Sequence, residues 1–127
     1  MITIDGPAGS GKSTTARLLA TRLGFTYLDT GVMYRAVTFL AIEEKCDIYD
    51  GEALAALARQ KAFRIESTPE LTRVYIDGRE VTEHIRSKAV TGKVSIVAGH
   101  LQVREEMVRL QRRIAADGNY VVEGRDI

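Results

Sequence analysis

The 127-residue chain has few of the features that mark secreted, membrane-spanning or nucleic-acid-binding proteins. Cys46 is its only cysteine, so no disulfide can form within the chain, which fits a reducing compartment. The formal net charge is +1, so no long-range field favours nucleic acid or an anionic membrane. No apolar run approaches the length that spans a bilayer, and no signal-peptide pattern precedes the first apolar segment. These absences predict a cytoplasmic protein that recognises any charged ligand locally.

Other shortages limit the chemistry of the side chains. There are two histidines, His84 and His100, and neither has a companion at the spacing of a metal site or a catalytic triad. We therefore expect both histidines at the surface, and Cys46 as a small packed side chain rather than a nucleophile. No repeat, low-complexity tract or flexible linker interrupts the chain. Its apolar fraction of 45% is ordinary for one domain with a core.

What the chain does have is a phosphate-binding pattern near its start. The stretch GPAGSGKS, residues 6–13, matches G-x-x-x-x-G-K-[ST] in full, between an apolar strand and a helix. Glycines let backbone N–H groups surround phosphates, and the helix N-terminus adds partial positive charge there. Lys12 would then reach the β- and γ-phosphates of a nucleoside triphosphate, and the Ser13 hydroxyl would ligate Mg²⁺. The alternative is a glycine-rich turn with an incidental lysine.

Alternating strand and helix patterns predict an α/β protein with an open parallel sheet. The core strands are predicted at residues 1–5, 25–29 and 120–123. Helices are predicted at residues 12–23, from about 33 to 45, and at 52–61. The apolar face of the first of these helices is expected to comprise Ala16, Leu19, Ala20 and Leu23, with Gly24 ending the helix.

The periodicity changes after residue 61. Short strands at 62–66, 72–76 and 79–81, with turn residues Ser67, Thr68 and Pro69 and an Asp77-Gly78 hairpin signal, predict a small antiparallel insert apart from the main sheet. Two amphipathic helices follow and are separated at Gly99-His100, and a turn at 117–119 precedes the last strand. The chain thus divides into residues 1–61, the first part of the core; 62–100, the insert; and 101–127, a core helix and the third core strand.

Polar residues follow each core strand, at 6–13, 29–35 and 123–126. Ligands of open α/β sheets bind beyond the carboxyl ends of the strands, so these three clusters should converge. Two of them contain an arginine, Arg35 and Arg125, whose planar guanidinium suits bidentate phosphate binding. The pair suggests that the acceptor of a phosphoryl group itself carries a phosphate, unless both arginines are simply solvated.

Five pieces of the chain, in this order, resemble the bacterial cytidylate kinase family, the (d)CMP kinases of the nucleoside monophosphate kinase group. They are ITIDGPAGSGKST (2–14), YLDTGVMYRA (27–36), VYIDGREVTEHIR (74–86), VREEMVRLQRR (103–113) and VVEGRDI (121–127). The resemblance covers the whole chain and is more specific than the phosphate loop, which many families share. It implies a P-loop NTPase-type three-layer α/β fold with an incomplete sheet of three core strands, the β-insert and a helical CMP-binding region within residues 62–100.

The resemblance also implies phosphoryl transfer from ATP, with Mg²⁺, to CMP or dCMP, in pyrimidine nucleotide metabolism. Lys12, Arg35 and Arg125 would then be catalytic, with Ser13 on the metal. Catalysis of this kind needs alignment and charge neutralisation but no side-chain nucleophile. The residues implied in ATP binding are Gly6, Pro7, Ala8, Gly9, Ser10, Gly11, Lys12, Ser13 and Thr14.

For CMP, the resemblance implies contacts from Thr30 and Arg35, with Arg35 and Arg125 on the phosphate. Ser95, Arg104 and Asp126 resemble the group that reads cytosine. A carboxylate at Asp126 can accept a hydrogen bond from the cytosine amino group, whereas uracil presents a carbonyl oxygen there. A site built to bond a substrate N–H strongly rejects an analogue that lacks it.

The chain departs from the family pattern chiefly in length. The family continues past the Gly-Arg-Asp motif into an arginine-rich lid and two further core strands, whereas this chain stops at Ile127. We therefore expect a fragment with weak or no activity alone. The family suggests a monomer, but the first strand would become an exposed edge through which this chain could associate. In addition, residues 87–90, Ser-Lys-Ala-Val, replace a more usual Thr-Pro-Glu-Val, and Thr30 stands where serine is common.

Two alternatives remain open at this point. One is a P-loop kinase for another small acceptor, such as shikimate, in which Arg104 and Asp126 would contact a ring of different shape. The other is a nucleotide-binding module that binds ATP but phosphorylates no acceptor. Comparing CMP, UMP, AMP and shikimate as acceptors separates the three hypotheses.

Overall fold

The structure is a computed structural model that describes residues 2–5, 12–67, 71–116, 118 and 120–124. In the main layer and the helices that cover it, the elements are β1 (Ile2–Asp5), α1 (Lys12–Leu23), β2 (Thr26–Asp29), α2 (Thr30–Glu43), α3 (Gly51–Arg59), α5 (Leu101–Ala115) and β6 (Tyr120–Gly124). Between α3 and α5 come β3 (Phe63–Ser67), β4 (Thr72–Ile76), β5 (Arg79–Glu80), a 3₁₀ turn (His84–Arg86) and α4 (Lys88–Ala98). The α/β class is confirmed.

The main sheet is parallel, in the order β1-β6-β2. The last strand in sequence therefore lies between the first two, with Val121 beside both Ile2 and Tyr27. Val121 and Val122 of this central strand are fully buried. Of the described strands, β1 pairs with β6 on one edge alone, in line with the expectation that the first strand is an edge.

The helix α1 packs on this sheet through small side chains. Ala16 and Ala20 are buried against Tyr27 and Val121. The prediction that Leu23 belongs to the same face is wrong, because its side chain is 45% exposed. Gly24, at φ +67°, ends the helix there with the N–H of Phe25 donating to Ala20 O at 2.8 Å. This C-terminal turn packs Phe25 against the cluster in place of Leu23.

The helix α2 is buried on two sides. Met33, Val37 and Ala41 join the core formed by the main sheet, α3 and α5. Ala36 and Leu40 pack instead against the inner side of the β-insert. Because one helix contributes to both clusters, it fixes the insert relative to the main sheet. It ends at Glu43, two residues before the predicted end.

The insert is a separate antiparallel sheet in the order β3-β4-β5, as predicted. Asp77 and Gly78 form the hairpin turn with φ values of +50° and +82°. Ser67, predicted as a turn residue, instead ends β3 opposite Thr72, with their hydroxyl oxygens 3.4 Å apart. The cross-strand pair extends the ladder by one residue. The predicted turn residues Thr68 and Pro69 lie outside the described residues.

The two later helices break at Gly99 and His100, as predicted. The side chain of Ser87 caps α4 by accepting from the N–H of Val90 at 3.3 Å, so the unusual Ser-Lys-Ala-Val run still begins a helix. The expectation that both histidines are plain surface residues holds for exposed His84, which stacks on Phe39. It is wrong for His100, which is half-buried and bonds Ile48 O through Nε2 at 2.8 Å.

Cys46 packs, half-buried, against the main core, as expected of a small structural side chain. Burial, followed by the carboxylates of Asp50, Asp47 and Glu44, raises the pKa of its thiol, which disfavours the nucleophilic thiolate. Within the described ranges, no helix combines the length and the apolar character needed to cross a bilayer.

Candidate active site

The carboxyl ends of the three parallel strands lie side by side. Asp5 of β1 is level with Gly124 of β6, and Asp29 of β2 is level with the neighbouring Glu123. The phosphate loop follows Asp5 in sequence, α2 follows Asp29, and the Arg125-Asp126 pair follows Gly124. The strand ends that precede the three predicted polar clusters are therefore adjacent, and the convergence of the clusters themselves stays a prediction.

Part of the predicted site is not described. The loop residues Gly6, Pro7, Ala8, Gly9, Ser10 and Gly11, and the acceptor residues Arg125 and Asp126, lie outside the described residues. Lys12 and Ser13 are the first two residues of α1, and Thr14 is exposed on the same turn. The first turn of α1 carries no acidic residue that would oppose an anion.

Thr30 lies where α2 meets the central strand. It is the first residue of α2, and its side chain is 2% exposed. A methyl group placed on Gly124 would overlap the Thr30 hydroxyl oxygen. Glycine at position 124 therefore lets α2 and its threonine approach the end of β6, directly before Arg125 in the sequence.

Two carboxyl groups meet beside Thr30. Glu123 is buried, accepts a hydrogen bond from the Tyr27 hydroxyl at 3.3 Å, and shares a hydrogen bond with Asp29. Burial, and then the negative charge of Glu123, raises the pKa of Asp29 from its ordinary 3.8 to about 6. Asp29 also caps α2 by accepting from the N–H of Gly31 at 2.9 Å. Asp29 is therefore protonated well above its ordinary pH range, and it is ionised only above about pH 6.

Arg35 connects α2 with the insert region. Its Nη1 donates to the carbonyl oxygen of Ile85 at 3.2 Å and to the hydroxyl oxygen of Thr91 at 3.0 Å. Both acceptors are neutral, and no carboxylate of the described residues pairs with Arg35. The guanidinium thus keeps its charge available to an anion.

The two other described residues predicted to contact CMP lie on consecutive helices. Ser95 is exposed on α4, and Arg104 is half-buried on the first turn of α5. The structure therefore places four predicted CMP residues on α2, α4 and α5. It brings Thr30 to the end of the central strand and Arg35 to the start of α4.

A separate groove lies between α1 and β2, with Arg17, Thr21 and Thr26 among its lining residues. It lies toward the amino end of β2, at the opposite end from Asp29, so it does not belong to the site at the strand ends. In the described part of the chain, no cluster of three histidine, cysteine or carboxylate side chains could hold a metal ion.

The comparisons with known proteins agree over the whole chain. The family model described as cytidylate kinase matches residues 2–127. Cytidylate kinases of Shouchella clausii and Enterococcus faecalis are 48% and 51% identical to the chain over 99% of its length. A bifunctional pantoate ligase/cytidylate kinase of Gloeobacter violaceus is 54% identical over the full chain, which corresponds to 25% of that protein.

The chain belongs to the cytidylate kinase family. It spans 56% of the length of the Shouchella clausii and Enterococcus faecalis cytidylate kinases. The mixed α/β architecture, with a parallel sheet of three strands and a separate antiparallel sheet, is consistent with the P-loop kinase fold that the sequence predicts.

For this member of the cytidylate kinase family, two features of the site were not predicted from the sequence. One is the carboxyl pair of Asp29 and Glu123, whose only signal is an acidic residue at the end of each of two apolar strands. The other is Thr91, which holds Arg35 by a hydroxyl contact across 56 residues of sequence. No local pattern marks Thr91, because it occupies an ordinary helical position.

Proposed function

We propose that the protein containing this chain transfers the γ-phosphoryl group of ATP to CMP or dCMP. A phosphate oxygen of the nucleoside monophosphate forms the new bond to phosphorus. The bond from that phosphorus to the bridging oxygen of ATP breaks, giving ADP and CDP or dCDP. The observation that carries the proposal is the alignment of three parallel strand ends, with Thr30 beside them and Arg35 on the second turn of the same helix, in a member of the cytidylate kinase family.

On the ATP side, the backbone of residues 6–13 and the start of α1 would hold the phosphates. The helix begins at Lys12, so its N-terminal N–H groups belong to the same segment as the phosphate loop. Lys12 would neutralise charge on the β- and γ-phosphates during transfer. Mg²⁺ would be held by the Ser13 hydroxyl and ATP oxygens, a donor set that suits this ion, and when bound it offsets phosphate charge.

On the acceptor side, Arg35 and Arg125 would bind the CMP phosphate, with Thr30 against the nucleotide. The contacts of Arg35 support phosphate binding, because its described hydrogen bonds run from Nη1 to two neutral oxygens and leave its charge unpaired by them. Ser95, Arg104 and Asp126 would read the base. We also propose that the full-length protein acts in the cytoplasm, and as a monomer.

The test uses the full-length product of the reading frame that contains this chain, in a coupled assay for ADP. CMP and dCMP should be phosphorylated at a far higher kcat/KM than UMP, AMP or shikimate. Preference for shikimate would instead support a different small-molecule kinase. ATP binding without phosphorylation of any acceptor would support a nucleotide-binding module.

Asp126 is the residue on which base discrimination should depend. Asp126→Ala removes the proposed acceptor for the cytosine amino group, so the preference for CMP over UMP should fall at least about tenfold. ATP binding should be unchanged. The control, Glu52→Ala, removes an exposed carboxylate from α3, away from the strand ends, and should leave the preference intact. An unaltered preference in the Asp126 variant would exclude this residue from base reading.

A further inference from the structure

Arg35 belongs to the core but makes its described hydrogen bonds to the insert region. It lies on the second turn of α2, which packs against both the 3₁₀ turn and α4. Its two acceptors come from these two elements, Ile85 from the turn and Thr91 from the helix. The orientation of the guanidinium is therefore set from outside the core sheet.

The hydrogen bonds use one end of the guanidinium. Nη1 carries two hydrogens, and it has two described acceptors, at 3.2 and 3.0 Å. Nε and Nη2 have no hydrogen-bond partner among the described residues. Those two nitrogens form the other edge of the planar fork, which presents parallel N–H groups to a phosphate. Anchoring Nη1 thus leaves a bidentate edge available for an anion.

The two anchors differ in what fixes them. The carbonyl of Ile85 belongs to a buried residue whose N–H donates to Val81 O at 3.1 Å, so it is part of the packed framework. Thr91 is exposed, and its backbone N–H donates to Ser87 O at 3.0 Å in the first turn of α4. Its hydroxyl contributes little to the core, yet it completes the pair of acceptors.

We propose that Thr91 is a positioning residue for Arg35, orienting the guanidinium so that its Nε and Nη2 edge meets the phosphate of the acceptor nucleotide. This role rests on the proposed function, because it concerns the acceptor site of the same reaction. It predicts that the hydroxyl at position 91 affects binding of the phosphate and not of the base. It also links the start of α4 to the chemistry at the strand ends.

The test compares Thr91→Val, which keeps the shape and removes the hydroxyl, with Thr91→Ser, which keeps the hydroxyl, in the full-length protein. In Thr91→Val, KM for CMP should rise about three- to tenfold, the size of one ordinary hydrogen bond, because the lost bond acts on the phosphate only through Arg35. KM for ATP and kcat at saturating CMP should change by less than about twofold. Thr91→Ser should restore the KM of the unmodified protein.

Two further measurements separate positioning from a general structural effect. The inhibition constant of cytidine, which lacks the phosphate, should be the same in Thr91→Val as in the unmodified protein. In an Arg35→Ala background, Thr91→Val should cause no further rise in KM for CMP, because the group it positions is gone. Thr21→Val is the matched control: it removes an exposed helical hydroxyl bonded locally to Arg17 O, and should leave KM for CMP unchanged.

The possible results distinguish this inference from the proposed function. If the unmodified protein phosphorylates CMP and Thr91→Val has the same KM, or weakens cytidine as strongly as CMP, the positioning role is wrong and the kinase stands. If the unmodified protein phosphorylates no CMP at all, the proposed function itself fails.

Discussion

At the scale of single residues, two carboxyl groups meet at the ends of neighbouring strands, Glu123 buried and Asp29 half-buried. Asp29 and Glu123 meet because β6 lies next to β2 in the sheet and the two residues share a register position. Two close carboxylates repel one another, and burial withholds the water that would solvate them. The proton that relieves this repulsion makes the stability of the fold depend on pH.

The sign of that dependence follows from the raised pKa of Asp29. Between its ordinary value of 3.8 and about 6, the folded state binds more of this proton than the unfolded state does. Stability due to Asp29 therefore falls as pH rises through that window, and it stays low above it. A shift of this size lowers the free energy of unfolding above pH 6 by about 1–3 kcal/mol.

Asp29→Asn should accordingly stabilise the fold at neutral pH, because an amide carries no charge and still caps α2. Urea unfolding should show a gain of about 1–3 kcal/mol at neutral pH that shrinks toward zero near pH 4. Asp50→Asn is the control, since Asp50 caps α3 at an exposed position by accepting from Ala53 N. A gain in Asp29→Asn that was equal at both pH values would show that the carboxyl charge is not its cause.

At the scale of secondary-structure elements, the N-terminus of α2 is fitted closely against the end of β6. The contact depends on Gly124, since a methyl group there would overlap the Thr30 hydroxyl. Thr30 is buried and begins a helix whose other turns are packed on both sides. The helix therefore has little freedom to move away from an added atom.

Gly124→Ala should destabilise the fold by about 1–3 kcal/mol, the usual cost of overpacking a well-packed site. Gly92→Ala provides the opposite case, because Gly92 lies inside α4 with open space around its Cα. That variant should gain about 0.5–1 kcal/mol from the higher helix propensity of alanine. Thermal unfolding of the two variants measures both effects, and an unharmed Gly124→Ala protein would contradict the close approach of Thr30 and β6.

At the scale of the whole molecule, local patterns predicted the elements and long-range contacts decided the details. Apolar periodicity was enough for the parallel strands, and the Asp77-Gly78 pair for the hairpin, because both signals are local. The prediction for Leu23 was wrong because a turn at Gly24 ends the helix, so that Phe25 packs against the core instead of Leu23. The bond from His100 to Ile48 O spans 52 residues of sequence, so no local pattern could reveal it.

The same distinction applies to the candidate site. The order of glycines, lysine and hydroxyl in residues 6–13 predicted the phosphate loop, and residues following each strand predicted where the site would lie. The partners of Arg35 depend on how α2 packs against α4, which the sequence of neither helix specifies. Tertiary packing thus determined the contacts that orient the side chain, while the sequence determined its presence.

The unpaired edge at β1, one of the two edges of the described main sheet, is a property of the molecule as a whole. Among the described strands, β1 is paired with β6 alone, and its other edge has no described strand beside it. Unpaired strand edges present N–H and C=O groups that can pair with another chain. We therefore expect the 127-residue chain by itself to associate reversibly, with a sedimentation coefficient that rises with concentration.

A lysine on that edge should oppose the association, because natural sheets use charged side chains to protect unpaired strands. Thr3 is exposed on β1, so Thr3→Lys should weaken the association at least about threefold while the chain remains folded by circular dichroism. Thr21→Lys adds the same charge to the exposed side of α1 and should have little effect. Equal weakening by both variants would show that net charge, and not strand pairing, controls the association. An unmodified chain that stayed monomeric at every concentration would show that the edge of β1 does not pair.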